Sequence, residues 1–149
     1  MKLYLDTCCY SRPFDDQSQE RIHIESEAVL IIIERTRQKV DAIVGSDVLN
    51  LEMDQIYEAE KKQNVRDLYS IAESSVKYSR QIYKRAQSIE QQTALRAFDC
   101  LHIACAEKAK ADILLTTDDK LEKASLKLDL SIKVMNPLKY LMEEVMYEK

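Results

Sequence analysis

Residues 95–121 read LRAFDCLHIACAEKAKADILLTTDDKL. The first half has helical spacing, with Phe98, Leu101, Ala104 and Cys105 on one face. The second half, ADILLTTDD, is an apolar run with a polar tip, followed by a short helix from Asp118. A helix, a short apolar strand and another helix, in that order, are the repeating unit of a parallel sheet covered by helices.

The same rhythm runs outward from this block. At the start, Leu3-Tyr4-Leu5 makes a short strand that ends directly in Asp6, and RPFDDQS follows as a loop. Gln19 to Arg37 is predicted to be a helix, with Ile22, Val29 and Ile33 at helical spacing. VDAIVGSD is a second strand ending at Gly45, after which Ser46 or Asp47 caps a helix carrying Val48, Leu49, Leu51, Met53 and Ile56 on its apolar sides. Asn64 to Gln92 reads as two charged helices broken near KYSR. LSIKVMNP is the last strand, and NPLKYLMEEVM a closing helix with Pro137 at its first position. The expected fold is therefore α/β: a mainly parallel central sheet with helices on both faces, in three layers.

One glycine and two prolines among 149 residues imply short turns and abundant helix. The length predicts a single domain over residues 1–149 with an adequate core. With 22 basic and 26 acidic residues, the chain does not hold nucleic acid by bulk charge alone. Cys8, Cys9, Cys100 and Cys105 form no Cys-x-x-Cys pair, and His23 and His102 complete no zinc spacing. They read as reduced, mostly buried thiols. The longest apolar run, Ala28 to Ile33, is too short to span a bilayer. Strand pattern begins at residue 3, so no targeting segment is expected, and a cytoplasmic location is.

In open parallel sheets, ligands bind beyond the carboxyl ends of the strands. Acids stand at those ends. Asp6 follows the first strand, Glu52 lies about two turns into the helix after the second, Asp99 opens the helix before ADILLTTDD, and Asp118 follows that strand. Singly, each has a plainer role: Asp118 as a helix cap, Asp99 answering a helix dipole, Glu52 on a solvated face beside Asp54 and Glu58. Asp6 is harder to place so, because a charge at the tip of a buried strand is costly unless paired. The four converge if strands one, two and the ADILLTTDD strand are neighbours. Clustered carboxylates repel until hard divalent cations neutralise them.

LYLDT, SDVLNLE, LRAFDCLHIACAEKAKADILLTTDDKL and IKVMNPLKYL, in this order, resemble the PIN domain in its VapC-like form. The resemblance covers essentially the whole chain and implies a metal-dependent ribonuclease. It assigns Asp6, Glu52, Asp99 and Asp118 as catalytic metal ligands, with Thr7, Ser46 and Thr116 as polar neighbours. The cofactor implied is Mg²⁺ or Mn²⁺, one or two ions per site. The reaction implied is attack of water on an RNA phosphodiester, leaving a 5′-phosphate and a 3′-hydroxyl. VapC-like proteins are usually toxins silenced by a small antitoxin, and usually homodimers; both partners are implied by resemblance alone.

Arg12, Arg80, Lys84 and Arg96 are the expected phosphate contacts, with Lys77 and Arg85 nearby and Tyr78 and Tyr83 available for stacking; a solvated helix face explains the same pattern. Asp15 and Asp16 read as turn residues and Asp119 as a first-turn helix acid. His102 reads as a packed, hydrogen-bonded histidine rather than a base. Tyr57, Leu68, Tyr69 and Ile71 read as core rather than interface. The alternative function is an inactive PIN-like scaffold for protein contact. Aspartyl phosphate chemistry fits less well: a haloacid dehalogenase phosphatase needs Asp-x-Asp after strand one, where this chain has Asp6-Thr7-Cys8, and IKVMNP lacks a convincing receiver lysine.

Overall fold

A computed structural model describes residues 1–146. Its strands are β1 (Lys2–Leu5), β2 (Ala42–Ser46), β3 (Ser74–Val76), β4 (Ile113–Leu115) and β5 (Lys133–Met135). All pairings are parallel, and the spatial order is β3-β2-β1-β4-β5. The helices are α1 (Thr7–Ser11), α2 (Glu20–Arg37), α3 (Asp47–Asp54), α4 (Ala59–Tyr69), α5 (Arg80–Gln92), α6 (Ala97–Lys108), α7 (Asp119–Ser125) and α8 (Pro137–Tyr140). A 3₁₀ turn at Arg12–Phe14 follows α1, and α8 runs on as a π-helical stretch, Leu141–Met146. This is the expected α/β/α arrangement.

The central strands are apolar on both sides because both sheet faces are covered. Leu3, Tyr4, Leu5, Ile113, Leu114 and Leu115 are all buried. On the helices the pattern is one-sided: α5 buries Ile82, Ala86 and Ile89 against α6 and leaves its other face in water. Ser46 caps α3 by accepting the amide of Leu49 at 3.0 Å, and Asn136 caps α8 with Pro137 behind it.

Three expectations need correction. The stretch from Asn64 to Gln92 is not purely helical, because β3 lies within it. Ser74, Ser75 and Val76 are weak helix formers, and they add an edge to β2 in the register Val44↔Ser74 and Gly45↔Ser75. On α3, Leu51 points to solvent at 55% exposure, since Val48, Leu49 and Met53 already fill the inward side. Leu68, Tyr69 and Ile71 do pack on the core, whereas Tyr57, in the turn between α3 and α4, is almost fully exposed.

The single glycine has a steric purpose. A Cβ at Gly45 would collide with the phenol of Tyr69. That phenol accepts the amide of Ser46 at 3.0 Å and donates to the Ser46 carbonyl at 3.3 Å, fixing the tip of β2 to α4. Without further glycines, the left-handed residues closing α2 and α6 are Lys39 (φ 64°) and Lys110 (φ 58°).

Candidate active site

β2, β1 and β4 are adjacent, so their carboxyl ends make one edge, and the first turn of α6 reaches the same edge before the chain enters β4. The sequence-predicted acids gather there. Asp6 is 5% exposed, caps α1 by accepting the Cys9 amide at 3.2 Å, and is tied to β4 through its own amide on the Leu115 carbonyl at 3.2 Å. Asp99 is 7% exposed and faces the Arg96 guanidinium at 3.5 Å. Asp118 caps α7, accepting the Lys120 amide at 2.9 Å, while its own amide donates to Thr116 Oγ1 at 3.1 Å.

Glu52 is the most elaborately held of the four. Thr7, next after Asp6, donates its hydroxyl to Glu52 Oε1. His102 Nε2 lies 2.7 Å from the same oxygen. Behind it, Tyr4 OH is 2.7 Å from His102 Nδ1 and 2.7 Å from Ser46 Oγ. With one ring proton, on Nε2, every group in this chain pairs: Ser46 donates to Tyr4, Tyr4 to His102, and His102 to Glu52. Tyr4, Ser46 and His102 are all buried, so the relay is rigid and dry. His102 is thus the hydrogen-bonded histidine that was expected. Its contact with a site acid, and the role of Tyr4, were not anticipated; the signal was a lone hydroxyl on an otherwise apolar strand, which must find a partner.

The electrostatics differ among the acids. Burial pushes the Asp6 carboxyl well above its ordinary range, and the adjacent Cys8 adds to this. Burial would also raise Glu52, but the hydrogen bonds from His102 and Thr7 outweigh it and hold that carboxylate low. Cys8 is lowered to about 6, chiefly by the Cys9 thiol, against the opposing effect of burial. Arg96 is raised by the charge of Asp99 first, with Glu52 and Asp118 also acting on it. Among the described residues, Asp6 and Asp118 have no ion-pair partner within 4.0 Å and Asp99 has only Arg96.

The acids are gathered but not clenched. Among the described residues, Asp6, Cys8 and Cys9 are the group whose ligand atoms all lie within 4.8 Å of one another; no three of the four acids do. An oxygen donor set in cationic deficit suits a hard divalent ion that keeps several waters, so the residues present fit one. Of the expected neighbours, Thr7 bonds Glu52, Ser46 ends the tyrosine relay, and Thr116 is buried 3.6 Å from Cys8 Sγ. Among the expected phosphate contacts, Arg80, Lys84 and Arg96 are exposed. Arg12 is instead engaged by Glu25 at 3.0 Å and Asp15 at 3.3 Å, and Arg85 by Glu107 at 2.7 Å. Asp15 also pairs with Lys61, Asp16 accepts from Ser18, and Asp119 pairs with Arg21, so these acids are structural.

The PIN domain family matches residues 3–127, and the chain belongs to that family. The crystal structure of VapBC2 from Rickettsia felis bound to a DNA fragment from their promoter shares the fold. The TM-score is 0.55 at 16% identity, over 91% of this chain and 98% of that one. No curated protein matches the sequence. Among the described residues no helix is long and apolar enough to cross a membrane.

Proposed function

We propose that this PIN domain is a metal-dependent endoribonuclease of the VapC-like kind, the toxin of a toxin–antitoxin pair, acting as a single domain. The observation that carries the reading is the set of four acids from four separate segments at one sheet edge, served by a single exposed guanidinium. A purely structural edge would pair all of its carboxylates; among the described residues this one leaves Asp6 and Asp118 without a cationic partner.

Asp6, Glu52, Asp99 and Asp118 would hold the cation, Mg²⁺ or Mn²⁺. A divalent ion at such a site supplies positive charge to the scissile phosphate and a more acidic bound water. Around it the chain's own residues have separable roles. Thr7 and His102 fix the Glu52 carboxylate in one orientation and keep it ionised. Thr116 and the first turn of α1 fix Asp6. Arg96, paired with Asp99 at 3.5 Å yet 75% exposed, stands at the open side, where its guanidinium would also reach a phosphate. Arg80 and Lys84 on the exposed face of α5 extend the path for an RNA strand, with Tyr78 and Tyr83 available for stacking. Water attacks phosphorus in line, the bond to the 3′ oxygen breaks, and a 5′-phosphate and a 3′-hydroxyl remain. A small antitoxin, a homodimer and a cytoplasmic setting complete the proposal by family resemblance.

The test is cleavage of a mixed structured RNA pool with Mg²⁺, with Mn²⁺ and with EDTA. Wild type is run beside an Asp6→Asn, Asp99→Asn double variant purified identically. Metal-dependent cleavage confined to wild type supports the reading. Absence of cleavage together with Mn²⁺ binding no better than the variant's replaces it with a protein-contact scaffold.

A further inference from the structure

The turn after β1 carries two adjacent thiols beside the first acid. Cys8 Sγ lies 2.7 Å from Asp6 Oδ1, and Asp6, Cys8 and Cys9 together offer three ligand atoms within 4.8 Å of one another. Thiols are poor donors for magnesium and good ones for zinc. Around one tetrahedral zinc, with Zn–S of about 2.3 Å and Zn–O of about 2.1 Å, neighbouring donors stand roughly 3.5 Å apart, inside that span.

We infer that Asp6, Cys8 and Cys9 form a site for a thiophilic divalent cation of the zinc class, with water as the fourth ligand. The surroundings favour it. The Thr117 amide points at Cys8 Sγ at 3.4 Å and the Cys9 amide at Asp6 Oδ1 at 3.2 Å, so the backbone holds both donors in place. Cys9 and Asp6 are buried while Cys8 is only partly so, which leaves one side for entry. Binding displaces the two thiol protons to solvent, forms two metal–sulfur bonds and one metal–oxygen bond, and transfers no electrons.

A consequence rests on the nuclease reading: Asp6 is a donor to both sites, so zinc held by the two thiolates competes with the hard cation for it. Zinc therefore withdraws it from the catalytic set and inhibits cleavage supported by Mg²⁺.

Cobalt(II) titration of the full chain tests the site without reference to activity. Wild type is expected to bind one cobalt with thiolate-to-metal charge-transfer absorption and intense tetrahedral visible bands, both removed by added zinc. Cys8→Ser and Cys9→Ala each lower the charge-transfer band by about half or more, whereas Cys100→Ser keeps it. Because Cys9 is fully buried, circular dichroism and melting verify folding, and the partly exposed Cys8→Ser decides the matter if Cys9→Ala unfolds. No charge-transfer band in wild type, or an undiminished one in Cys8→Ser, overturns the site. Its regulatory part is read as a ratio: equimolar zinc lowers wild-type cleavage about tenfold and leaves Cys8→Ser roughly unaffected. Equal inhibition of both overturns the regulatory part. A chain that cleaves nothing and binds Mn²⁺ no better than its Asp6→Asn, Asp99→Asn variant refutes the nuclease reading and leaves the cobalt result standing.

Discussion

His102 Nε2 is 2.7 Å from Glu52 Oε1, so a buried histidine on α6 orients an acid on α3. Its other nitrogen is held by Tyr4, and neither ring nitrogen is free to shuttle protons with solvent. Removing the histidine should therefore act through Glu52. His102→Ala is expected to weaken Mn²⁺ binding by roughly 10- to 100-fold, as loss of an outer-sphere partner does. His102→Gln, which can still donate near the Nε2 position, should recover part of it. Calorimetric titration with Mn²⁺ checks both; equal affinities across the series would separate His102 from the site.

Tyr4→Phe keeps the apolar packing and deletes both phenol hydrogen bonds. It leaves Ser46 and His102 each short of a partner in a dry site. The expected cost is about 1–3 kcal/mol in urea unfolding. A cost indistinguishable from zero would mean that the relay contributes nothing to the fold.

The buried position of Asp6 makes stability without metal depend on pH. Its folded-state pKa is raised, by burial first, so the neutral form is the favoured one. Its stabilising contribution is fully present below the unfolded value of about 4 and is lost as pH rises through the folded value. In EDTA, Asp6→Asn should melt above wild type at neutral pH, by a margin that shrinks toward about pH 4. Adding Mn²⁺ should reverse the order. Melting curves across this range decide it, and a margin independent of pH would refute the assignment.

Glu25 is 3% exposed and bound by Arg12 at 3.0 Å, Arg21 at 3.1 Å and Asn136 Nδ2 at 2.7 Å, which joins α2 to the start of α8. Glu25→Ala leaves Arg12 with Asp15 alone and takes the acceptor from Asn136 Nδ2. A loss of roughly 1–3 kcal/mol is expected by denaturant unfolding. A loss below about 1 kcal/mol would place this cluster with ordinary surface pairs.

Gly45→Ala forces the Tyr69 phenol away from the backbone of Ser46. The expected cost is about 1–3 kcal/mol, from a steric clash and two lost hydrogen bonds. In the Tyr69→Ala background the same change should be nearly neutral. A double-mutant cycle measures the difference, and additive costs would show that the clash is not with Tyr69.

Some of this could be read before folding and some could not. The strand ending in Asp6 and the block around Asp99 and Asp118 were legible because a buried, two-sided strand is a continuous apolar run and its tip is where polarity returns. Ser46 was legible as a cap because the hydroxyl directly precedes a helical pattern. The edge strand Ser74–Val76 was not: two exposed serines and one partly buried valine carry no alternation, and the strand is defined only by its pairing with β2. Nor was the fate of Arg12. Whether an arginine meets a phosphate or a buried glutamate is decided by contacts between residues 13 apart, which spacing alone does not reveal.

Arg96 has a consequence for assembly. Its side chain is 75% exposed, yet its charge answers Asp99, Glu52 and Asp118 together. The polypeptide thus brings its own counter-ion to an edge that would otherwise resist being closed. Part of the charge at that edge is therefore balanced from within the chain itself, so the fold is expected to form without any added cation, with cooperative melting in EDTA as the check.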